Sequence, residues 1–299
     1  MNDLVELYER PSEISYMLAG WHQWADAGSV SSGLPQYLIR HLHARKIGAI
    51  KPDGFYLFQI PATHHLLRPV VKLKDGYRQE LSGRQNEIHY AGDRFAIFIG
   101  EEPHQKEDEY AAAFLDMVEE LGVKRVVIAG GVNGPVPYDK NREFSCVYSL
   151  PSMREDLGRY AVRFSNYEGG STIGAYLAHK AEERNIEVAV FYAMVPSYQF
   201  ADASAMARVM SMDDDFKAWY DLMRRVNYMF GLDIDISDLE RKGKALAATW
   251  RTELQQLGEL SDLEVQEYLD EVSRDFAETT FEPLSSAWED AIEDLFGES

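Results

Sequence analysis

The sequence predicts an α/β domain that ends in an all-helical C-terminal extension, and three features carry that expectation. First, residues 1 to about 200 alternate short apolar runs rich in Ile, Val, Phe and Tyr with segments of helical periodicity, as strands and helices in alternation do. Second, beyond Gln199 the apolar residues recur only at helical spacing. Third, Leu232 to Ser299 hold 19 acids and 5 bases, a net −14 of the chain's −20, which leaves −6 for the first 231 residues. The expected division is 1–230 for the α/β domain and 231–299 for an acidic helical extension.

Strands are expected at 14–19, 55–60, 94–99, 125–129, 144–150 and 187–195, where β-branched and aromatic residues suit a buried pleated surface. The run Val126-Val127-Ile128-Ala129, between Lys124 and Gly130, reads as a strand covered on both faces. Residues 107–121 place Tyr110, Phe114, Leu115 and Val118 on one helical stripe and stop at Gly122, a suitable C-cap. A helix at 172–184 has Ile173, Leu177 and Ala181 at helical spacing. Pro35, in the helix expected after Gly28, predicts a kink or a late start. Between Pro61 and Tyr90 a loop and shorter, partly exposed strands are expected, with Asp75-Gly76 as a hairpin turn. Residues 202–230 read as helix in two pieces with a break near Ser211, ending at Gly231. Ser237-Asp238-Leu239-Glu240 has the form of a capping box that opens a helix towards Leu257. Two more amphipathic helices are expected at 263–280 and 284–296.

Composition narrows the function classes. With 45% apolar and 27% charged residues, the 299-residue chain can bury a sizeable core. A net charge of −20 repels phosphate backbones and anionic lipid, so neither nucleic acid nor a membrane is expected as a partner. The longest apolar runs, Phe95 to Ile99 and Val188 to Val195, fall far short of a membrane span. The first residues, Met1-Asn2-Asp3-Leu4-Val5-Glu6, lack a basic n-region, so a cytoplasmic location is expected. The single Cys146 sits mid-strand and reads as a small core residue. Adjacent His64 and His65, near Arg68, would point apart on a strand, and no HExxH is present; no metal site is expected. P-loop, GxGxxG and GxSxG signatures are absent, so no cofactor is expected and an α/β-hydrolase is disfavoured.

The segments that bear on chemistry are four loops, each following an expected strand or opening a helix. In open α/β sheets, ligands bind at the carboxyl edge where such loops lie. Gly20-Trp21-His22-Gln23-Trp24-Ala25-Asp26-Ala27-Gly28 follows the first strand, and Asp26 reads either as a helix cap or as a carboxylate in a cleft. Gly130-Gly131-Val132-Asn133-Gly134-Pro135 reads either as a glycine-lined ligand approach or as a wide turn. In Tyr167-Glu168-Gly169-Gly170-Ser171-Thr172, glycines before a helix with two hydroxyls in its first turn suit an anion or carboxylate, or are plain capping. Val195-Pro196-Ser197-Tyr198 brings a phenol either to the cleft or over the core. The candidate ligand-binding residues are Trp21, Asp26, Gly28, Gly130, Gly131, Asn133, Glu168, Gly169, Gly170, Ser171, Thr172 and Tyr198. No general acid/base pair can be assigned from spacing.

Taken in order, these loops resemble the PAC2 family, named for a proteasome assembly chaperone. Gly20, Trp21, Asp26, Ala27 and Gly28 match its Gly-Trp-x-Asp-Ala-Gly segment, with Gln23-Trp24-Ala25 lengthening the spacing. Gly130 through Pro137 resembles the stretch that leads to Val-Pro-His-Thr-Arg-Pro, although Tyr138-Asp139-Lys140 stands in place of His-Thr-Arg. Tyr167, Gly169, Gly170 and Gly174 resemble Tyr-x-Gly-Pro-x-Gly, and Val195-Pro196-Ser197-Tyr198 resembles Val-Pro-His-Tyr with Ser for His. Residues 231–240 resemble the Gly-Leu-Asp-Ile-Asp-Leu-x-x-Leu-Glu stretch of bacterial members. The resemblance implies a three-layer α/β/α sandwich similar to nucleoside phosphorylases, and a homo-oligomer, by family habit a trimer. It implies no known activity. Two expectations follow: a non-enzymatic oligomeric assembly or chaperone-type factor with a protein partner, or a small-molecule-binding enzyme of nucleoside-phosphorylase-like type using the carboxyl-edge cleft.

Overall fold

The computed structural model describes residues 3–52, 54–58, 68–201, 207–260, 264–274 and 276–282. In chain order its elements are β1 (Val5–Leu7), β2 (Tyr16–His22), α1 (Gly33–His41), β3 (Arg45–Ile50), β4 (Val70–Lys74), β5 (Tyr77–Ser82), β6 (Glu87–Gly92), β7 (Phe95–Glu101), α2 (Glu107–Glu120) and β8 (Arg125–Gly134). They continue with β9 (Phe144–Tyr148), α3 (Arg154–Leu157), β10 (Arg163–Phe164), α4 (Ile173–Glu182), β11 (Glu187–Ala201), β12 (Ala207–Ser211), α5 (Phe216–Phe230), α6 (Ser237–Leu260) and α7 (Val265–Arg274).

One mixed sheet runs β1-β3-β6-β7-β2-β8-β11-β9-β10, with β12 paired to the end of β11; β4 and β5 form a separate hairpin. Its centre is parallel, β2 pairing with β7 and β8, and β8 with β11. The alternation along each central strand feeds two cores. Leu18, Val127, Ala129 and Phe191 pack with α1, α5 and α6. Met17, Val126, Ile128 and Val190 pack with α2 and α4 on the opposite face. Strands buried on both faces need continuous apolar runs, which is why Val126 to Ala129 reads as it does. The result is a three-layer α/β/α sandwich.

Local signals account for several boundaries. The helix after Gly28 starts late, at Gly33, so that Pro35 falls in its first turn and removes no helical hydrogen bond. The β4–β5 turn holds Asp75 at φ 50° and Gly76 at φ 79°, the backbone that Asp-Gly favours. Helix α6 begins where Asp235 Oδ1 accepts the Ser237 N–H at 2.9 Å, so Asp235 supplies the cap expected of Ser237.

Other expectations are corrected. Phe55 to Phe58 are not a strand: the Phe55 N–H turns back to Pro52 O and its buried ring packs edge-on against Tyr110. The polar, glycine-containing β3 occupies the sheet instead. Residues 207–211 are not helical but the strand β12, because Val209 and its neighbours pair antiparallel with Ser197 to Ala201. Strand β11 therefore runs six residues beyond the expected end at Val195 and forms an arm. The C-terminal helices cover that arm: Trp250 and Tyr268 each lie 5.6 Å from the Tyr198 ring, and Tyr268 lies 5.2 Å from Phe200. Of the helix expected at 263–280, Val265–Arg274 is helical, whereas Phe281 is buried in non-helical chain between Tyr160 and Tyr228. His64, His65 and the helix expected at 284–296 lie outside the described residues.

Candidate functional site

A cleft of about 830 Å³ opens at the carboxyl ends of β2, β8 and β11, closed on one side by the loop that precedes α4. Its walls are Trp24, Ala25 and Ala27 from the first loop, Gly131 to Asn133 from β8, Tyr167 and Gly169 to Thr172 from the third loop, and Tyr192 and Met194 from β11, with Ser145 and Val147 of β9. Glycine makes this geometry. A Cβ on Gly130 would lie 2.5 Å from the Tyr192 ring, and one on Gly131 would lie 2.0 Å from Ala27 O. Residues 130–134 are strand, which rules out the wide-turn reading, since Gly130 to Gly134 stay in register with Tyr192 to Pro196. Their close approaches are to the protein's own backbone and rings. Trp24 and Tyr167 stand at the rim, 70% and 69% exposed.

Helix α4, which the third loop opens, is capped internally. Thr172 Oγ1 accepts the Ala175 N–H at 3.1 Å and is hydrogen-bonded to the Tyr192 hydroxyl. Burial holds the Tyr192 phenol above its ordinary pKa, so it stays protonated. The Ile173 N–H, the donor an anion would take, is given to Glu102 Oε1 at 3.0 Å, while Glu102 Oε2 accepts the Trp24 N–H at 3.0 Å. A carboxylate of the chain thus already occupies the N-terminus of α4, where the helix dipole favours it.

Six candidate residues meet in this cleft: Gly131, Asn133, Gly169, Gly170, Ser171 and Thr172. The other six do not line it. Trp21 is fully buried, donates Nε1–H to Tyr110 Oη at 2.7 Å and packs on Phe98 and Phe114. Gly28, at φ 61°, lies where a Cβ would be 2.7 Å from Asp215 Cβ. Tyr198 is fully buried and donates its hydroxyl to Val136 O at 2.8 Å, on the α5–α6 side of the sheet. Glu168 is exposed beyond the rim, and Gly130 lies beneath Tyr192. Asp26 caps the turn before α1, its Oδ1 accepting from the Ser31 and Ser32 amides at 2.9 Å each. Burial raises its carboxyl above the ordinary range, against those bonds. It borders a second cleft with His22, Arg84, Glu101 and His104. Burial and nearby Arg84 hold His104 below its usual pKa.

Sequence reasoning missed Glu102, Trp24 and Arg142. Glu102 directly follows a parallel strand, β7, so the carboxyl-edge rule applied there would have found it. Trp24 belongs to the residues that lengthen the first motif. Arg142 gave no local signal, because its partners are distant in sequence. Its guanidinium pairs with Asp215 at 2.7 Å and donates to the carbonyls of Pro137, Tyr138 and Lys140, while its own N–H goes to Asp221. That cluster fixes residues 135–142 against α5. Cys146 is buried in the core and its thiol is pushed up to about 12 by burial.

A Mycobacterium tuberculosis proteasome-assembly chaperone homologue is 23% identical, with a TM-score of 0.69, covering 85% of this chain and 99% of its own. A Corynebacterium glutamicum protein of unknown function is 16% identical at TM-score 0.71, covering 99% of both chains, so that likeness takes in the C-terminal extension. Pyrococcus furiosus PbaB, an archaeal proteasome activator, is 18% identical at TM-score 0.59, covering 83% of this chain and 97% of its own. At these identities the likeness is one of fold. No curated protein matches the chain. Among the described residues no helix is long and apolar enough to cross a membrane. The PAC2 family model matches residues 21–257, which span the motif loops, the cleft and most of α6, and the chain belongs to the PAC2 family.

Proposed function

We propose that this chain is a non-enzymatic assembly or chaperone-type factor of the cytoplasm, working as a homo-oligomer, with a trimer as its form, on a protein partner. The observation that carries this reading is the chemistry of the cleft. Among the described residues its lining holds hydroxyls, one amide, glycines and apolar groups, and no carboxylate, imidazole, ammonium or guanidinium. Proton transfer at neutral pH needs a group that titrates near it. The lining offers contact surface instead, and the chaperone and activator descriptions of the solved relatives agree with a protein-handling role. The test is light scattering of the purified chain, alone and with proteasome core subunits from the same source. A mass near three 34.1-kDa chains and a stable co-complex support the reading. A monomer that forms no complex rejects it.

A second reading has its own observation: a volume of about 830 Å³ is that of a small-ligand pocket. In this reading Gly131, Asn133, Gly169, Gly170, Ser171 and Thr172 contact a neutral ligand, as in a nucleoside-phosphorylase-like enzyme. Because Glu102 takes the Ile173 amide, nucleosides rather than nucleotides are expected to bind. A thermal-shift screen decides it: a nucleoside that raises the melting point supports this reading, and no shift from any of them removes it.

A further inference from the structure

The cleft is longer than a compact ligand needs. Past Val147 and Ser165, which line both, it continues into a second hollow of about 430 Å³ beside Phe164 and Arg154. Together the two make a groove along β9 that suits an elongated occupant. Its mouth is shaped by the chain's own packing. The Trp24 indole lies 3.5 Å from where a Cβ on Gly170 would stand, and the Tyr167 phenol lies against Gly169. Both rings rest on this glycine backbone and still turn most of their surface to solvent. The backbone beneath them is uncommitted. Among the described residues, the N–H and C=O groups of Glu168, Gly169, Gly170 and Ser171 make no hydrogen bond within the chain, and all four residues are exposed. The exposed Asn133 carboxamide makes none either.

Such a row of main-chain groups matches another main chain, which brings one donor and one acceptor per residue. In peptide recognition those bonds supply affinity and side-chain pockets supply specificity. We propose that the groove takes an internal, extended peptide segment of the protein partner. Its main chain bonds to residues 168–171, and one uncharged aliphatic or aromatic side chain sits between Trp24 and Tyr167. The charge pattern selects this occupant. The neutral lining gives an ionised side chain no partner to offset its desolvation. It also offers no cation to a terminal carboxylate, which is why the segment is internal. Glu168, exposed beside Tyr167, and the chain's net charge of −20 favour basic residues on the flanks.

This proposal rests on the protein-partner reading and deepens it by naming what the cleft receives. The test is fluorescence anisotropy of the full chain with dye-labelled peptides acetyl-Lys-Ser-Gly-X-Gly-Ser-Lys-amide, where X is Leu, Phe, Gly or Asp. The Leu and Phe peptides are expected to bind roughly tenfold tighter than the Gly and Asp peptides. N-methylation of the amides flanking X is expected to weaken binding by about tenfold again, because it removes main-chain donors. Trp24→Ala and Asn133→Ala, at exposed positions, are each expected to weaken the Phe peptide roughly tenfold with the melting point unchanged. Affinity that ignores X, survives N-methylation or persists in the Trp24→Ala/Asn133→Ala double variant overturns the proposal. So does a nucleoside that raises the melting point of a chain to which no peptide binds. A wild type that joins proteasome core subunits but binds no peptide overturns the site and leaves the assembly reading standing. One that binds the Phe peptide but no core subunit upholds the site and removes only that choice of partner.

Discussion

The two sides of the sheet's carboxyl edge use the same kind of loop in opposite ways. On the α5 side, charge is buried and fully paired: Arg142 and Asp215 are 2% and 0% exposed, and Gly28 exists to let Asp215 approach. There the Trp219 indole also donates to Gly28 O at 3.0 Å. On the α4 side, the first loop instead turns Trp24 outwards over a neutral cleft. One nine-residue motif thus serves as a lock at its end and as a wall in its middle. The difference teaches that a conspicuous motif residue is as readily a fastener as a contact, and that burial tells the two apart.

The largest test of the locked side is removal of what covers it. A chain ending at Gly231 loses Trp250, Leu254, Leu257 and Val265 from the core. At roughly 1.5–3 kcal/mol for each buried side chain, that approaches the whole stability of a typical domain. Loss of a cooperative melting transition, or aggregation seen by light scattering, is expected; an unchanged melt and mass would show that 231–299 is a separable unit. Next, Arg142→Ala strands the buried Asp215, while the backbone N–H of residue 142 still serves Asp221, and is expected to cost about 3–5 kcal/mol in denaturant unfolding. The Arg142→Ala/Asp215→Ala double variant is expected to cost less than the sum of the singles. Equal additive losses would mean the two groups do not act as a pair.

The cleft side is sharpened by a contrast. Gly131→Ala forces a methyl towards Ala27 O and is expected to cost about 1–3 kcal/mol. Trp24→Ala, at an exposed site, is expected to stay within about 0.5 kcal/mol of wild type yet abolish any thermal shift by a cleft ligand. A ligand shift that survives Trp24→Ala would place the ligand elsewhere. The smallest effect is at the half-buried Glu87, held at about 2 by the hydrogen bond from His89 and by Lys46. A carboxyl depressed by folding stabilises the protein above its unfolded pKa, and that contribution is lost as pH falls from about 4.3 towards 2. Glu87→Gln is expected to remove this slope, under about 1 kcal/mol in all. An unaltered acid-unfolding profile would refute it.

Much of the architecture was legible because it is written in local pattern. The runs at Val126 and Val188, the stripe from Tyr110 to Val118 and the Asp75-Gly76 turn each identified their element. The misreadings share a cause. Residues 207–211 carry helical spacing from their neighbours, but pairing with the far end of β11 decides them. Tyr198 could be read as a cleft residue or as core cover while β11 was expected to end at Val195, and the longer strand places it in the core. Six of the twelve candidate positions meet in the cleft, and those that do not were chosen by motif, which does not say which face a side chain takes.

By itself, the sequence determined the alternation of strands and helices, the strand at Val126 to Ala129 covered on both faces and the acidic character of the last 68 residues, because periodicity and composition act within a few residues. Only the tertiary structure decided that Glu102 fills the end of α4, that Arg142 finds two carboxylates more than 70 positions away, and that the cleft is neutral. Those outcomes depend on which surfaces meet once the sheet has formed. Register and burial settle that, and neither is a property of any short stretch of chain.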